Sequence, residues 1–348
     1  MRKDTTIAVD LAKSVFEVAV SHRAGQVRER WRLTRQGFLR FFGKRRPATV
    51  LMEACGSAHH WGRQLEELGH RVVLLPPHVV HRYVRGNKTD RADVKALLEA
   101  YRNEEIQAVP LKSVGQQSLA ALHRLRSGWS RTRTARMNSL RGLLREFGVT
   151  IPVGARNVVP RVRALLEDAE SALPEVLRSS FEEALVEILQ LEERIERVEE
   201  ELKRLAAQTP VVRQLRSIPG IGLLGSTALV SVVGDMARFP SGRHFASYLG
   251  LVPREHSSGG VRRLGRITKR GDAYLRMLLI HGARSVLWNA KHRRHKDALR
   301  RWALRVEQLR GPNKAAVALA NKMARFVWAV WKKGKAFELP GQFEATAA

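Results

Sequence analysis

Three β-strand patterns follow one another before the first helical pattern, and no other feature of the 348-residue sequence constrains its fold as tightly. Thr6–Asp10 is a short apolar run, Val15–Ser21 alternates apolar and polar positions, and Val27–Leu33 resumes after the turn His22–Gly25. Helical spacing first appears over Gln36–Lys44. Strand and helix then alternate: Thr49–Glu53, His59–Leu68 ended by Gly69, and Arg71–Leu75 stopped by Pro76-Pro77. The series closes with Asp90–Arg102, which sets Val94, Leu97, Leu98 and Tyr101 on one helical face.

A three-strand meander followed by helix–strand alternation is the order of a ribonuclease-H-like α/β sheet, expected over residues 1–110. A doubly wound nucleotide fold would open β-α-β, and no G-x-G-x-x-G follows the first strand. Residues 111–208 read as helix, expected as one or two segments over Ser118–Phe147 and a second over Pro160–Gln208 with a break near Pro174. In the latter, Ile188, Leu191, Ile195, Val198, Leu202 and Leu205 alternate steps of three and four, the spacing of a coiled coil or helical hairpin. Residues 209–348 read as a mainly α-helical C-terminal region: helix Leu224–Val233, the segment Phe245–Leu251, a Gly/Ser/Arg-rich loop over Pro253–Gly271, helix Asp272–Trp288 and a basic helical end.

Charge narrows the partners. Sixty-two Lys and Arg face 33 Asp and Glu, a formal net charge of +29. Such an excess repels itself in the fold and is neutralised by a polyanion, with counterion release. No apolar run reaches the roughly 18–20 residues of a membrane span, and the N-terminus shows no signal pattern. The expectation is a bacterial cytoplasmic protein whose partner is nucleic acid, not a membrane. Cys55 is the only cysteine, so intrachain disulfides are excluded and a small buried apolar role is expected.

Asp10 ends the first strand and Glu53 the fourth, and these strands are neighbours in a ribonuclease-H-like sheet. Asp90 and Asp93 are three apart at a helix start and share a face. Four converging carboxylates repel unless hard cations sit among them, the two-metal arrangement for phosphodiester chemistry. Helix capping for Asp90 and a helix-dipole role for Asp93 are the competing readings. The Ser118–Phe147 helix carries Arg124, Arg126, Arg131, Arg133, Arg136, Arg141 and Arg145 against only Glu146, which reads as a nucleic-acid contact. Ile218-Pro219-Gly220-Ile221-Gly222 before an apolar helix looks like a helix-hairpin-helix element, in which Gly220 and Gly222 would expose N–H groups to a phosphate; a plain helix connection is the alternative. In the loop around Ser257-Ser258-Gly259-Gly260, with Arg262 and Arg263, a serine could attack a phosphodiester, although such a loop is more often a flexible turn. The run Lys291–Lys296 reads equally as a phosphate contact or a solvated helix end. Trp288, Trp302, Trp328 and Trp331 read first as core packing, with base stacking as the alternative.

These residues resemble, over nearly the whole chain, the DEDD transposases of bacterial insertion sequences, which include bridge-RNA-guided recombinases. The resemblance is carried by Val9-Asp10-Leu11-Ala12-Lys13, Glu53-Ala54-Cys55-Gly56 and Asn87-Lys88-Thr89-Asp90-Arg91-Ala92-Asp93. It continues through Ser217-Ile218-Pro219-Gly220-Ile221-Gly222, Gly250-Leu251-Val252-Pro253-Arg254, the block Gly265–Asp272 with Lys269 and Arg270, and His281-Gly282-Ala283-Arg284-Ser285. It implies a RuvC-like N-terminal domain whose acidic tetrad, Asp10, Glu53, Asp90 and Asp93, binds Mg2+, as two ions per site. It also implies a C-terminal transposase domain whose serine forms a covalent phosphoserine link to DNA. Matching the Ser-Gly pair after Arg254 assigns that role to Ser258, with Ser257 one step away as the alternative. Further implications are a structured guide (bridge) RNA pairing with donor and target DNA, nucleic-acid contacts at Lys88 and the basic residues above, and homodimers assembling to a homotetramer. Two rivals use the same residues differently: a metal-dependent, structure-selective junction-resolving endonuclease without a covalent intermediate, and a non-catalytic nucleic-acid-binding scaffold.

Overall fold

The computed structural model describes residues 5–22, 26–87, 89–292 and 297–338. The first elements are β1 (Thr6–Leu11), β2 (Val15–Ser21), β3 (Glu29–Thr34), α1 (Arg35–Gly43), β4 (Thr49–Glu53), α2 (Ala58–Glu67) and β5 (Arg71–Leu75). A short α3 (Pro77–Val80) and α4 (Asp90–Tyr101) follow. The sheet order is β3-β2-β1-β4-β5, antiparallel through β1, β2 and β3 and parallel through β1, β4 and β5. β3 starts at Glu29, two residues later than expected; Val27 packs on the core instead of pairing.

Strand alternation splits the sheet's side chains between two faces. On one, Ile7, Val9, Phe16, Val18, Val50 and Met52 meet Phe38, Phe42, Trp61 and Leu65 of α1 and α2. Phe16, Phe38 and Trp61 meet edge to face, with ring centres 4.8–5.3 Å apart, the arrangement their quadrupoles favour. On the other face, Ala8, Ala19, Leu51, Val73 and Leu75 are covered by Val94, Leu97 and Leu98 of α4. Cys55, expected to be buried, is only half-buried at the core's margin, because it follows the end of β4.

Next comes α5 (Val114–Glu146), a single unbroken helix, then α6 (Val158–Glu167) and α7 (Glu175–Ala207), separated as expected before Pro174. Ile188, Leu191, Ile195, Val198 and Leu202 are all buried. Met137, Leu140 and Leu144 of α5 share a core with Val162 and Leu165 of α6 and with Phe181, Leu185 and Ile188 of α7. α5 and α7 run antiparallel as a helical hairpin, zipped by the ion pairs Arg126–Glu199, Arg133–Glu192 and Arg136–Glu187.

The remaining elements are α8 (Pro210–Leu215), α9 (Leu223–Val233), α10 (Gly242–Tyr248), β6 (Pro253–Glu255), β7 (Leu264–Ile267), α11 (Ala273–His292), α12 (Ala298–Arg310) and α13 (Pro312–Lys333). The β6–β7 hairpin stands where the sequence suggested only a loop. Trp328 donates its indole N–H to the Phe239 carbonyl, whereas Trp288, expected in the core, is 61 % exposed and stacks on His292. It belongs to the outward stripe of α11, whose buried residues are Leu275, Leu279, Ala283, Val286, Leu287 and Ala290. Contacts group the chain into two units: Met1–Gln117 with Val233–Asp235, and Ser118–Val232 with Met236–Ala348. Among the described residues no helix is long and apolar enough to cross a membrane.

Candidate active-site elements: an acidic sheet face and a serine hairpin

In the first unit, pairing register assembles a row of charged residues on the face that α4 covers. Asp10 of β1 lies opposite Glu17 of β2, which lies opposite Arg32 of β3. On its other side, one step past the Val9–Met52 pair, Asp10 comes level with Glu53, itself opposite Leu75. The row reads Arg32, Glu17, Asp10, Glu53, and its three carboxylates are half-buried. Directly opposed Cβ atoms sit about 4.5–5.5 Å apart, and like charges there are destabilising. Arg32 is the one cation in the row. Sequence reasoning missed Glu17, although a glutamate amid Val15-Phe16-Glu17-Val18-Ala19-Val20 was a visible signal.

The first turn of α4 brings in the other two carboxylates. Thr89 is the N-cap, its hydroxyl accepting the Ala92 N–H at 3.2 Å, so Asp90 is not needed as a cap. Asp90 is exposed at the first helical position and Asp93, one turn on, is half-buried. A pocket of about 370 Å³ is lined by Glu17, Arg30, Arg32, Thr89, Asp90 and Arg91, so this turn meets the row at its β2 end. Among the described residues, however, no three acidic, His or Cys side chains are gathered closely enough to hold one ion. The expected convergence is therefore incomplete. Strands about 4.8 Å apart space the row, and Asp90 stays at the exposed helix start. The donors are all carboxylate oxygens, the kind that hard divalent cations take. Lys88 lies outside the described residues.

In the second unit, β6 and β7 carry an exposed hairpin. Ser258 bridges Val261 across Gly259 and Gly260, whose φ values of 56° and 75° make the two-residue turn that right-handed strand twist favours. The two serines differ in engagement. Ser257 donates to Glu255 Oε1 at 2.6 Å and accepts the Arg263 N–H at 3.1 Å. The Ser258 hydroxyl, at the turn itself, has no partner among the described residues. Arg262 approaches Glu255 at 3.7 Å, and Arg263, Arg266, Lys269 and Arg270 are exposed along the hairpin and its base. Two glycines clamp that base: a Cβ on Gly250 would fall 2.2 Å from the Arg270 carbonyl oxygen, and one on Gly271 2.0 Å from that of Tyr248.

The Ile218–Gly222 turn is fixed the same way. A Cβ on Gly282 of α11 would sit 2.1 Å from the Gly220 carbonyl oxygen, so Gly220 packs against a helix. Gly222, just before α9, has open space around it. Of the α5 arginines, Arg126, Arg133 and Arg136 pair with α7 glutamates, and Arg141 donates to the carbonyls of Pro152 and Gly154. Arg124, Arg131 and Arg145 are exposed. Residues 293–296 of the basic run lie outside the described residues.

A buried histidine that no motif signalled completes this unit. His123 of α5 meets Tyr274 Oη at 3.0 Å and Thr227 Oγ1 at 2.9 Å. Thr227 donates its own hydroxyl to the Leu223 carbonyl, so His123 Nε2–H donates to Thr227 and Nδ1 accepts from Tyr274. Burial, then the nearby Arg126 charge, lowers the His123 pKa to about 4. Burial also raises the Tyr274 phenol. The neutral ring thus ties α5, α9 and α11 together.

Comparison with known proteins places this geometry. Residues 212–299 match the family described as "Transposase IS116/IS110/IS902 family", and residues 7–149 match the DEDD domain of the IS110 group, described as "Transposase". A "Probable family 20 transposase" of Pseudomonas aeruginosa is 44% identical over 93% of this chain and 96% of its own length. A "Putative transposase y4pF/y4sB" of Sinorhizobium fredii is 36% identical over 95% of this chain and 85% of its own. The "Transposase for insertion sequence element IS1111A" of Coxiella burnetii is 36% identical over 95% and 90%, respectively. Both matched segments carry the elements described above, and identity runs through nearly the full length: the chain belongs to the IS116/IS110/IS902 family of insertion-sequence transposases, enzymes that cut and rejoin DNA.

Proposed function

We propose that this transposase cuts and rejoins DNA through a covalent Ser258–DNA intermediate, with an acidic site of Asp10, Glu53, Asp90 and Asp93 and a structured guide RNA that selects donor and target. The observation that carries the reading is the contrast between the two serines: Ser257 is committed to holding the hairpin, and the Ser258 hydroxyl has no partner among the described residues, at a two-glycine turn followed by arginines. Ser258 Oγ attacks phosphorus, forming an O–P bond as the bond to one deoxyribose oxygen breaks. Ser258 gives up its proton and the leaving oxygen takes one up. Attack on the phosphoserine by a hydroxyl of the other strand end reverses each change and restores the serine. One phosphoester is exchanged for another, so rejoining needs no outside energy source. Arg262 and Arg263 flank the turn and would absorb charge on the phosphate.

A ribonuclease-H-like (RuvC-like) domain over residues 1–110 is supported by the β3-β2-β1-β4-β5 order and its mixed direction. Its carboxylates would hold Mg2+, which when bound polarises a phosphate oxygen and offsets their mutual repulsion. Asp10 and Glu53 are carried by the sheet, and Asp90 and Asp93 by the α4 turn. RNA and DNA binding is supported by the +29 charge and by exposed Arg124, Arg131, Arg263 and Arg270. A helical spacer over 111–208 and a transposase domain over 209–348 complete the chain. Assembly as a homodimer and homotetramer is supported by apolar residues left exposed on the helical hairpin: Leu125, Leu143, Val186 and Leu189.

The test uses the full chain, co-expressed with the RNA transcribed from its flanking DNA and mixed with labelled donor, target and magnesium. Under denaturing conditions a DNA-linked band should form and be absent with Ser258→Ala. Cleavage without a linked band, unchanged by Ser258→Ala, would instead favour a hydrolytic junction-resolving nuclease.

A further inference from the structure

Beside the serine hairpin, within the same unit, lies an open cleft of about 1350 Å³. Its floor is apolar, made by Ile267, Trp302 and Val317, and its rim carries Arg266, Lys269, Lys314, Lys322 and Arg325. Among the described residues no Asp or Glu lines it. None of the five cations is ion-paired among the described residues, although acidic partners stabilise many other cations of this unit. Lys322 Nζ sits 4.2 Å from the Trp302 ring centre, joining rim to floor. Lys269 has φ 55°, the one left-handed non-glycine residue among the described residues. Such a conformation costs a lysine energy and clusters at ligand sites.

Five unpaired cations around one concavity repel one another and call for a polyanion. Phosphate contact alone, however, does not call for an apolar floor. The volume exceeds the roughly 300–1,000 Å³ of small-ligand pockets. We propose that this cleft receives unpaired nucleotides of the strand held at the hairpin, with bases on the Trp302 floor and flanking phosphates on the cationic rim. Continuity with the hairpin argues for this occupant. Gly265, Arg266 and Ile267 belong to β7, the strand returning from the Ser258 turn. From Val261, opposite Ser258, to Gly265 is about 14 Å at 3.4 Å per residue. A strand with a phosphate at Ser258 therefore has its next few nucleotides at the cleft. The inference rests on the proposed serine chemistry for its role, but on cleft composition for the ligand.

The test measures equilibrium binding of the full chain to labelled single-stranded DNA, single-stranded RNA of the same sequence, and the DNA duplex at fixed salt. Trp302→Leu should weaken single-strand binding about tenfold, within the range for loss of one base–aromatic stack, and change duplex binding less than twofold. The loss should appear with the DNA single strand, and a loss confined to the RNA strand would overturn the assignment to the strand held at the hairpin. Because Trp302→Leu can perturb packing, the double variant Lys314→Gln/Lys322→Gln, on exposed and half-exposed positions, supplies a second reading. It should lower the slope of log K against log salt for single strands by about 1.4, at 0.7 per phosphate contact. Equal losses for single strand and duplex with Trp302→Leu, or an unchanged salt slope, would overturn the proposal. The covalent-trapping assay is read separately. Linked DNA with cleft variants of wild-type affinity rejects the cleft alone. Strand-selective loss in a protein that never links DNA rejects the serine chemistry alone.

Discussion

Protonation of His123 is the perturbation whose cost the structure sets most directly. The ring is 4 % exposed, accepts from Tyr274 and donates to Thr227, and titrates at about 4 against 6.5 for an ordinary histidine. Above pH 6.5 it is neutral in folded and unfolded chains alike and contributes nothing to pH dependence. Below pH 6.5 the unfolded chain takes up the proton first, so stability falls at about 1.36 kcal/mol per pH unit until the fold itself protonates near pH 4. The loss from this residue is about 1.4 kcal/mol at pH 5.5 and about 2.5 kcal/mol at pH 4.5. Urea unfolding of the full chain and of His123→Gln at pH 7.5, 5.5 and 4.5 measures it, since other titrating groups cancel between the two proteins. At pH 7.5 the variant should be about 1–3 kcal/mol less stable for its lost hydrogen bonds. That gap should shrink by about 2.5 kcal/mol by pH 4.5. A gap that stays constant with pH would refute the buried neutral histidine.

Gly282→Ala should gain about 1 kcal/mol of helix propensity but lose more to the 2.1 Å approach of its Cβ to the Gly220 carbonyl, lowering Tm by several degrees. The open Gly142→Ala in α5 should raise Tm, and equal rises in both would contradict the close packing. Thr89→Ala removes the α4 cap and should cost about 1 kcal/mol, while cutting strand cleavage more than α4 melting by circular dichroism explains; normal cleavage would detach the first turn of α4 from the site. Ser257→Ala should loosen the hairpin and slow DNA linkage without abolishing it, and complete loss would move the nucleophile to Ser257.

Local pattern carried the N-terminal sheet, because each strand's burial is written in its own residues: Thr49–Glu53, apolar on both faces, and Val15–Ser21, alternating, were found with their observed bounds. Asp10 and Glu53 stood out because carboxylates end apolar strands. Glu17 did not, since its significance is the register that sets it opposite Asp10. Partners distant in sequence hid the rest. The α5 arginines looked unbalanced because Glu187, Glu192 and Glu199 lie more than fifty residues away. Gly220 looked like a phosphate turn because Gly282, which it touches, is on another helix. The serine hairpin lacked apolar alternation; its signal was the Gly259-Gly260 pair, whose positive φ values close the turn. His123, a lone histidine among arginines, gave no local sign of the tyrosine and threonine that hold it.

The measurement that bears most directly on the proposed chemistry is mass spectrometry of the protein after reaction with donor, target, RNA and magnesium, followed by nuclease and protease digestion. The account predicts one peptide spanning the β6–β7 turn with a nucleotide phosphate on Ser258 Oγ, absent with Asp10→Ala. Full cleavage of DNA with every serine of that peptide unmodified would contradict it.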